Sequence, residues 1–277
     1  MRIRTLAHLS DLHIGASAAG DRAAEALCAA LCAQRVDHVV ATGDITHRGR
    51  RSELDRFRAL FAPLLAAGRL TVVPGNHDRW NDDISDALMP GAPVQVASAP
   101  GLHLVCVDSS GPHNRSIWIS HGNLCAATID QIAKALERAP RGALTALLLH
   151  HHLVAQPEES SLERLAAFLG WPDVGELNLG AELLARIRGR CDLVLHGHRH
   201  VPRALTPWPE DARPLHMFNA GSSTGLGRFR VFAHLQGQLL GVPTWRSAPA
   251  CAPARAPAPA AAAAARRYSS ARLAANM

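Results

Sequence analysis

A chain of 277 residues with 48% hydrophobic and 19% charged side chains can bury one large core, which excludes a fibrous or largely disordered protein. The formal charge of +6 does not by itself mark a nucleic-acid binder, because four arginines and no acids follow Ala248 and the rest carries only about +2. Lys134 is the single lysine against many arginines and alanines, a balance that fits biased codon usage better than selection for phosphate binding.

In chain order, the run Ile3 to Leu9 predicts a strand, a helix follows near Asp21 to Gln34, a strand at His38 to Ala41, a helix near Ser52 to Ala67, and a strand at Leu70 to Val73. Further strands are predicted at Leu102 to Val107, Leu144 to Leu149, Asp192 to Leu195, His216 to Ala220 and Arg230 to Leu235. Helices are predicted at Thr128 to Arg138, where Ile129, Ile132 and Leu136 have helical spacing, and at Gly175 to Ile187. The alternation of strand and helix predicts an α/β fold with a largely parallel sheet. Residues 154–175, with acids at Glu158 and Glu159 and apolar Leu162, Leu165 and Leu169, suit a helical insertion near the site rim or simple packing. After Trp245 the composition narrows to Ala, Pro and Arg, which cannot bury enough apolar area to offset chain entropy. The expected organisation is a catalytic domain over residues 1–247 and a disordered tail over 248–277.

The six cysteines form no framework: Cys28 and Cys32 lie four apart on a predicted helix, the others are scattered, and no paired Cys-x-x-Cys spacing occurs. Free thiols in a reducing compartment are expected. No run of about 18 apolar residues predicts a membrane span. A candidate ligand stands as early as Asp11, so a cleavable signal peptide would take part of the site with it; a cytoplasmic location is the expectation.

Five clusters carry the chemistry: Asp11 and His13, Asp44, Asn76 with His77, His150, and His198 with His200. Each follows the carboxyl end of a predicted strand, the edge of an open α/β sheet where ligands bind. They offer only oxygen and imidazole nitrogen, the donors that a pair of hard-to-borderline divalent metals takes. Asp11 and His13 are two apart, as are His198 and His200, a spacing that puts both side chains on one side of extended backbone. In the run His150-His151-His152, strand alternation leaves both His150 and His152 open as the ligand.

The series Asp11-Leu12-His13, Gly43-Asp44, Gly75-Asn76-His77-Asp78, His150-His151 and Gly197-His198-Arg199-His200 resembles the signature of the calcineurin-like metallophosphoesterases, and within them most the class III cyclic-nucleotide phosphodiesterases. The resemblance spans about residues 3 to 235 and implies a four-layer αββα sandwich with a dinuclear metal site at the carboxyl ends of the strands. It implies that one divalent metal (Mn, Fe and Zn all suit the donors) takes Asp11, His13 and His200, that the other takes Asn76, His150 and His198, and that Asp44 bridges. In that pattern the first of the histidine pair ligates, which favours His150. His77 is then the non-ligand histidine that contacts phosphate and protonates the leaving oxygen, Asp78 holds its loop, and a metal-bridging hydroxide attacks phosphorus.

The implied partner is a small phosphoester, a phosphodiester first and a cyclic nucleotide among the candidates. A repair-type DNA nuclease shares Asp11-Leu12-His13-Ile14-Gly15 but usually adds a capping domain, for which little chain remains after Leu235. A phosphomonoesterase and a non-catalytic scaffold of the same fold are further alternatives. A serine/threonine protein phosphatase is disfavoured, since that group carries an aspartate where His47 stands and a glutamate where Asp78 stands. His8, His38, His103, His216 and His234 read as ordinary core or surface residues, His151 and His196 as packing beside the site. His47, His121 and Arg199 read first as solvated loop residues, with contact to substrate the alternative, and Asn219 to Ser223 as a turn shaping the site floor.

Overall fold

The computed structural model describes residues 2–116, 119–154 and 177–248. The expected tail from 249 onward, and all but the first residue of the 154–175 insertion, lie outside the described residues.

Among the described residues, twelve strands form two mixed sheets. The first has the order β11-β10-β1-β2-β3 with β12 beside β10, and is built from β1 (Arg4–Leu9), β2 (His38–Thr42), β3 (Leu70–Val73), β10 (Arg228–Leu235), β11 (Gln238–Leu239) and β12 (Thr244–Ser247). The second has the order β4-β5-β6-β7-β9-β8, from β4 (Val94–Ala99), β5 (Leu102–Val107), β6 (Leu144–Leu148), β7 (Leu193–His196), β8 (Arg203–Leu205) and β9 (His216–Asn219). The strands that read as continuous apolar runs are the parallel ones: β1 beside β2 and β2 beside β3 in one sheet, β5 beside β6, β6 beside β7 and β7 beside β9 in the other. Parallel strands are covered on both faces, which is why their sequences do not alternate with polar residues. The largely parallel pattern read from the sequence is shared between two sheets, as the implied αββα sandwich requires, and each adds antiparallel strands, where β10 joins β1 and β4 joins β5.

Side-chain periodicity explains the layers. Leu6, Val40, Val73 and Phe232 from the first sheet meet Leu104, Leu148, Leu195 and Phe218 from the second in one buried cluster. Their neighbours along the strands point the opposite way. Ala7, Leu9, Val39 and Ala41 pack with Leu27 and Leu31 of α1 (Ala18–Ala33) and Leu54 and Phe57 of α2 (Arg51–Leu60). Val105, Leu147 and Val194 pack with Ile129, Ile132 and Leu136 of α5 (Ala126–Glu137) and Leu183 and Ile187 of α6 (Gly180–Ile187). The period of two along each strand thus yields helix, sheet, sheet, helix, the four layers expected.

Local chemistry sets the helix limits. Ser17 caps α1 by accepting from the Gly20 N–H at 3.1 Å, and the Asp21 carboxylate accepts from the Gly15 N–H at 2.8 Å. The single helix predicted over Ser52 to Ala67 is divided at Phe61 into α2 and α3 (Ala62–Ala66), because Pro63 lacks an N–H and starts a new turn. Among the described residues there are also two single-turn α-helices, α4 (Ser85–Leu88) and α7 (Ser223–Leu226). Among the described residues, no helix is long and apolar enough to cross a membrane.

The inter-sheet layer is the structural keystone, since it aligns the ends of the two sheets. Leu195 is fully buried within it. Leu195→Ala is expected to lower unfolding free energy by about 2–5 kcal/mol, read as a fall in the denaturant midpoint with an unchanged slope.

Candidate metal centre

Three loops of the first sheet and two of the second meet at the carboxyl ends of β1, β2, β3, β6 and β7. The loop after β1 is fastened to the loop after β2: Asp11 N–H donates to the Gly43 carbonyl (3.1 Å), His13 N–H to Asp44 (2.9 Å) and Ile14 N–H to Ile45 (3.0 Å). Asp11, His13, Asp44 and His198 all have positive φ, at 52°, 46°, 49° and 70°. The extended backbone assumed for the Asp11-x-His13 and His198-x-His200 spacings is therefore wrong. The chain has to turn sharply off each strand end and fold its side chains back over the sheet, and left-handed conformations accomplish this at a cost of about 1–3 kcal/mol each.

Asp78 anchors the next loop. Its carboxylate accepts from the N–H groups of Ile45 (3.2 Å), Thr46 (2.8 Å) and Gly75 (2.9 Å) and from the Thr46 hydroxyl (2.7 Å), joining the loops after β2 and β3. Two glycines let backbones approach where ligand side chains pass. A Cβ at Gly75 would overlap the Asp44 backbone nitrogen and carboxylate, and one at Gly197 would overlap Ser10 Oγ and the Asp11 carboxylate. The Asn219 to Ser223 turn forms the floor expected of it: Asn219 Nδ2 donates to the Gly197 carbonyl (2.9 Å), the Ser222 hydroxyl to the Asp11 carbonyl (3.1 Å), and the Ser10 N–H to Ser223 Oγ (3.0 Å).

All seven candidate ligands come together. His13 Nε2 faces His200 Nε2 at 3.2 Å, and His200 Nε2 lies 3.6 Å from Asp11 Oδ1. On the other side, Asn76 Oδ1 is 3.1 Å from both His150 Nε2 and His198 Nδ1, which are 3.3 Å apart. Asp44 stands between the two groups, 3.8 Å from His13 Nε2 and 3.4 Å from His150 Nε2. His150 Nδ1–H donates to the Thr42 carbonyl (2.9 Å), which fixes the tautomer and presents Nε2 to the cluster. His152 instead lays its ring beside that of His198 at 5.8 Å, so of the two open candidates the geometry brings His150 in. His151 is pinned between Ser109 Oγ (2.8 Å) and the Ser120 carbonyl (2.9 Å).

Electrostatics match a cation site. Burial and the adjacent Asp44 carboxylate push Asp11 up to about 8, while Asp44, despite its burial, is held well below the carboxylate range by His150, His77 and His13. Burial lowers His13 to about 3 and takes His198 well below the usual imidazole range, so both offer lone pairs. Burial alone would lower His150 too, but Asp44 and Asp11 raise it to about 9. Asp11 Oδ1 is buried with no hydrogen-bond partner. Two imidazoles held neutral, His13 and His198, converge with His150, two carboxylate side chains and an orphaned carboxylate oxygen, a donor set that fits a pair of divalent cations. Ligand atoms of Asp11, His13 and His200, and of Asp11, Asp44 and His150, each lie within 4.8 Å of one another.

His77 sits at the rim. Its backbone N–H donates to Asp44 Oδ1 (2.9 Å), its Nδ1–H donates to the His47 carbonyl (2.8 Å), and its Nε2 is 3.9 Å from Asp44 Oδ2. One neighbour, Trp80, escaped the sequence reading as part of the site; a second, His47, reads there as a loop residue that could touch substrate. The Trp80 ring covers His77 with centroids 3.9 Å apart, and the His47 ring lies 5.8 Å from those of both His13 and His77. Trp80 three residues after His77 was the available signal, since a short helical turn puts such neighbours in contact. A cavity of about 500 Å³ opens beside His13, His77 and His200, bounded by Leu12, Ala16 and Thr224.

A family model for calcineurin-like phosphoesterases matches residues 4–202. Over 163 residues the chain is 31% identical to a cAMP/cGMP dual specificity phosphodiesterase of Mycobacterium tuberculosis, covering 53% of this chain and 49%, about half, of that protein. Solved structures with similar folds include a purple acid phosphatase from yellow lupin (13% identity, TM-score 0.61, 89% of this chain and 52% of that one). A dimetal phosphatase from Danio rerio aligns with TM-score 0.58 at 12% identity over 89% of this chain and 99% of its own. GAP50, the anchor in the inner membrane complex of Plasmodium, aligns with TM-score 0.57 at 11% identity, over 90% and 85%.

Gly75→Ala is expected to displace Asp44, because the new methyl overlaps its backbone and carboxylate. Elemental analysis of the purified variant should show reduced metal per chain with a near-normal far-UV circular dichroism spectrum; full metal occupancy would refute the steric argument.

Proposed function

The chain belongs to the calcineurin-like phosphoesterase family, a family of phosphoester hydrolases, and from that membership we propose that it is a metal-dependent hydrolase of a small phosphodiester, with a cyclic nucleotide as the first substrate to test. The observation that carries the reading is the convergence of seven nitrogen and oxygen donors on one strand-end crevice, with Asp44 between two groups of three. In this reading Asp11, His13 and His200 hold one cation, Asn76, His150 and His198 hold the other, and Asp44 bridges. The donor set leaves Mn, Fe and Zn all eligible. Bound there, two divalent cations supply Lewis acidity that lowers the pKa of water and neutralises charge on the phosphoryl group.

The chain's own residues account for the remaining steps. The His47 carbonyl can only accept, so His77 Nδ1 keeps its proton and Nε2 is the atom turned toward the cluster. His77 therefore acts as an acid only as the imidazolium, giving its Nε2 proton to the leaving oxygen and ending neutral. General acid catalysis of this kind contributes about 10²–10⁴-fold. Trp80, with its ring centroid 3.9 Å away, holds the His77 ring plane. Asp78 holds the backbone of the His77 loop rather than touching substrate.

The cavity beside His13, His77 and His200 supports a diester of modest size, since its walls at Leu12, Ala16, Ala19 and Gly20 are small or apolar and can admit an organic substituent on phosphorus. The named activity of the mycobacterial relative, matched over about half its length, motivates the cyclic nucleotide. The catalytic unit is assigned to residues 1–247, because β9, β10 and β12 lie beyond the family match yet complete the two sheets.

The test is hydrolysis of bis(p-nitrophenyl) phosphate, p-nitrophenyl phosphate, cyclic AMP and single-stranded and duplex DNA by metal-stripped protein refilled with Mn²⁺. Metal-dependent diester cleavage without DNA cleavage is the expected result; preference for DNA would favour the nuclease, preference for the monoester a phosphomonoesterase, and inactivity with both metals bound a scaffold. His77→Ala should keep metal content and lose about 10²–10⁴-fold in turnover, whereas Asp44→Ala should lose both. Normal metal occupancy in the Asp44 variant would sink the bridging role.

A further inference from the structure

Opposite the candidate metal centre, at the amino ends of β1, β2 and β3, a second concavity of about 530 Å³ opens between the two sheets. One wall carries Arg2, Arg4, Arg35 and Arg69, and the other is the β4–β5 turn around Pro100 and Leu102. The one acid among its lining residues is Asp37, whose carboxylate is already engaged by Arg2, the Thr5 N–H (2.9 Å) and the Thr5 hydroxyl (3.1 Å). The Arg4 guanidinium has no hydrogen-bond partner among the described residues, and with four arginines against one acid in its lining the cleft holds net positive charge in a concave, partly apolar setting.

A second observation points to a ligand. His234 is 1% exposed, yet its Nε2 has no hydrogen-bond partner, and it lines both this cleft and a smaller one of about 250 Å³ that shares Arg2 and Arg4. Arg4 and His234 are register partners across β1 and β10. Their side chains converge over the Gly101 backbone: a Cβ there would lie 3.2 Å from Arg4 Cδ, 3.6 Å from Arg4 Nε and 3.3 Å from His234 Cε1. A free guanidinium next to a buried, unsatisfied imidazole nitrogen is a matched pair of donors for a tetrahedral oxyanion.

We propose that this cleft is an anion-binding site, separate from the metal centre, for a small organic phosphate monoester whose phosphate meets Arg4 and His234 and whose body rests on Val36, Pro100 and Leu102. The volume falls in the range of about 300–1,000 Å³ typical of small-molecule sites, well beyond what a bare phosphate fills. The inference does not depend on which ester the metal centre cleaves.

The experiment is calorimetric titration of inorganic phosphate, and separately of a nucleoside 5′-monophosphate, into the metal-loaded full chain and into its Asp44→Asn and Arg4→Gln variants. One binding event should survive Asp44→Asn and weaken about tenfold or more in Arg4→Gln, the loss expected for one charged hydrogen bond. The monophosphate should bind there more tightly than inorganic phosphate; equal affinity would remove the organic body from the assignment. Arg4→Gln should leave the ligand-free melting temperature and bis(p-nitrophenyl) phosphate hydrolysis near wild type. In ¹H–¹⁵N spectra the monophosphate should shift the His234 ring nitrogens and the Gly101 amide. Phosphate binding that vanishes with Asp44→Asn, shifts confined to the metal centre, or an oligonucleotide that outcompetes the monophosphate through residues outside the cleft would overturn the proposal.

Discussion

Two buried carboxylates with no lysine or arginine to neutralise them set the terms for the rest of the structure. Asp11 and Asp44 are almost fully buried, and the ion partners of both are histidines alone among the described residues. Burial disfavours the charged carboxylate and the adjacent Asp44 adds repulsion, so Asp11 moves up to about 8. Four surrounding imidazoles cannot all be protonated beside one another, so they relieve the repulsion only in part. A centre of this kind is stable in its ionised form when cations occupy it, and the backbone strain at Asp11, His13, Asp44 and His198 is the conformational cost of aiming the donors there. The supporting contacts, from Asp78 beneath the loops to Ser222 and Asn219 on the floor, hold that aim without entering the crevice.

The two-sheet architecture is what allows ligands far apart in sequence to face one another. Asp11, Asp44 and Asn76 leave one sheet, His150 and His198 leave the other, and the layer of Leu6, Val40, Leu148, Leu195 and Phe232 brings the sheet ends into register. The fold alone does not dictate chemistry: a similar framework serves a protein described as a membrane-complex anchor as well as phosphatases. What this chain adds to the framework is its donor set, seven candidate nitrogen and oxygen ligands converging from five strand ends.

The parallel strands were legible because full burial leaves an unbroken apolar signature, and β3 and β5 fall at the predicted limits. The strand at Val94–Ala99 was not, since this edge strand is half exposed along its length and its Gln and Ser positions dilute the pattern. Short edge strands such as Arg203–Leu205, Gln238–Leu239 and Thr244–Ser247 are polar or solvent-facing for the same reason. Which strands share a sheet lay beyond local pattern: β10 pairs with β1 across more than two hundred residues. At the site, donor type and order were visible, but the left-handed turns were not, because Asp and His tolerate such backbone without the glycine that usually signals it. The choice between His150 and His152 likewise rests on a carbonyl, Thr42, that only the packed sheets bring near.

Parallel strands also give the molecule two chemically distinct ends. In β1, Arg4 begins the strand that Asp11 follows; in β2, Asp37 and His38 stand at the start and Asp44 past the end; Arg69 precedes β3 and Asn76 follows it. In the first sheet one strand therefore links each candidate-ligand loop to a residue of the basic cleft, over about 13–20 Å at roughly 3.3 Å per residue. That separation exceeds the screening length of about 8–10 Å in physiological salt, so the arginines act weakly on the metal centre through solvent. Any coupling between the ends has to pass along β1 and β2 themselves. These are the strands whose loops are already fastened together by the bonds from Asp11, His13 and Ile14 to Gly43, Asp44 and Ile45, so a small shift of β1 against β2 would move Asp11 and His13 relative to Asp44, three of the candidate donors at once.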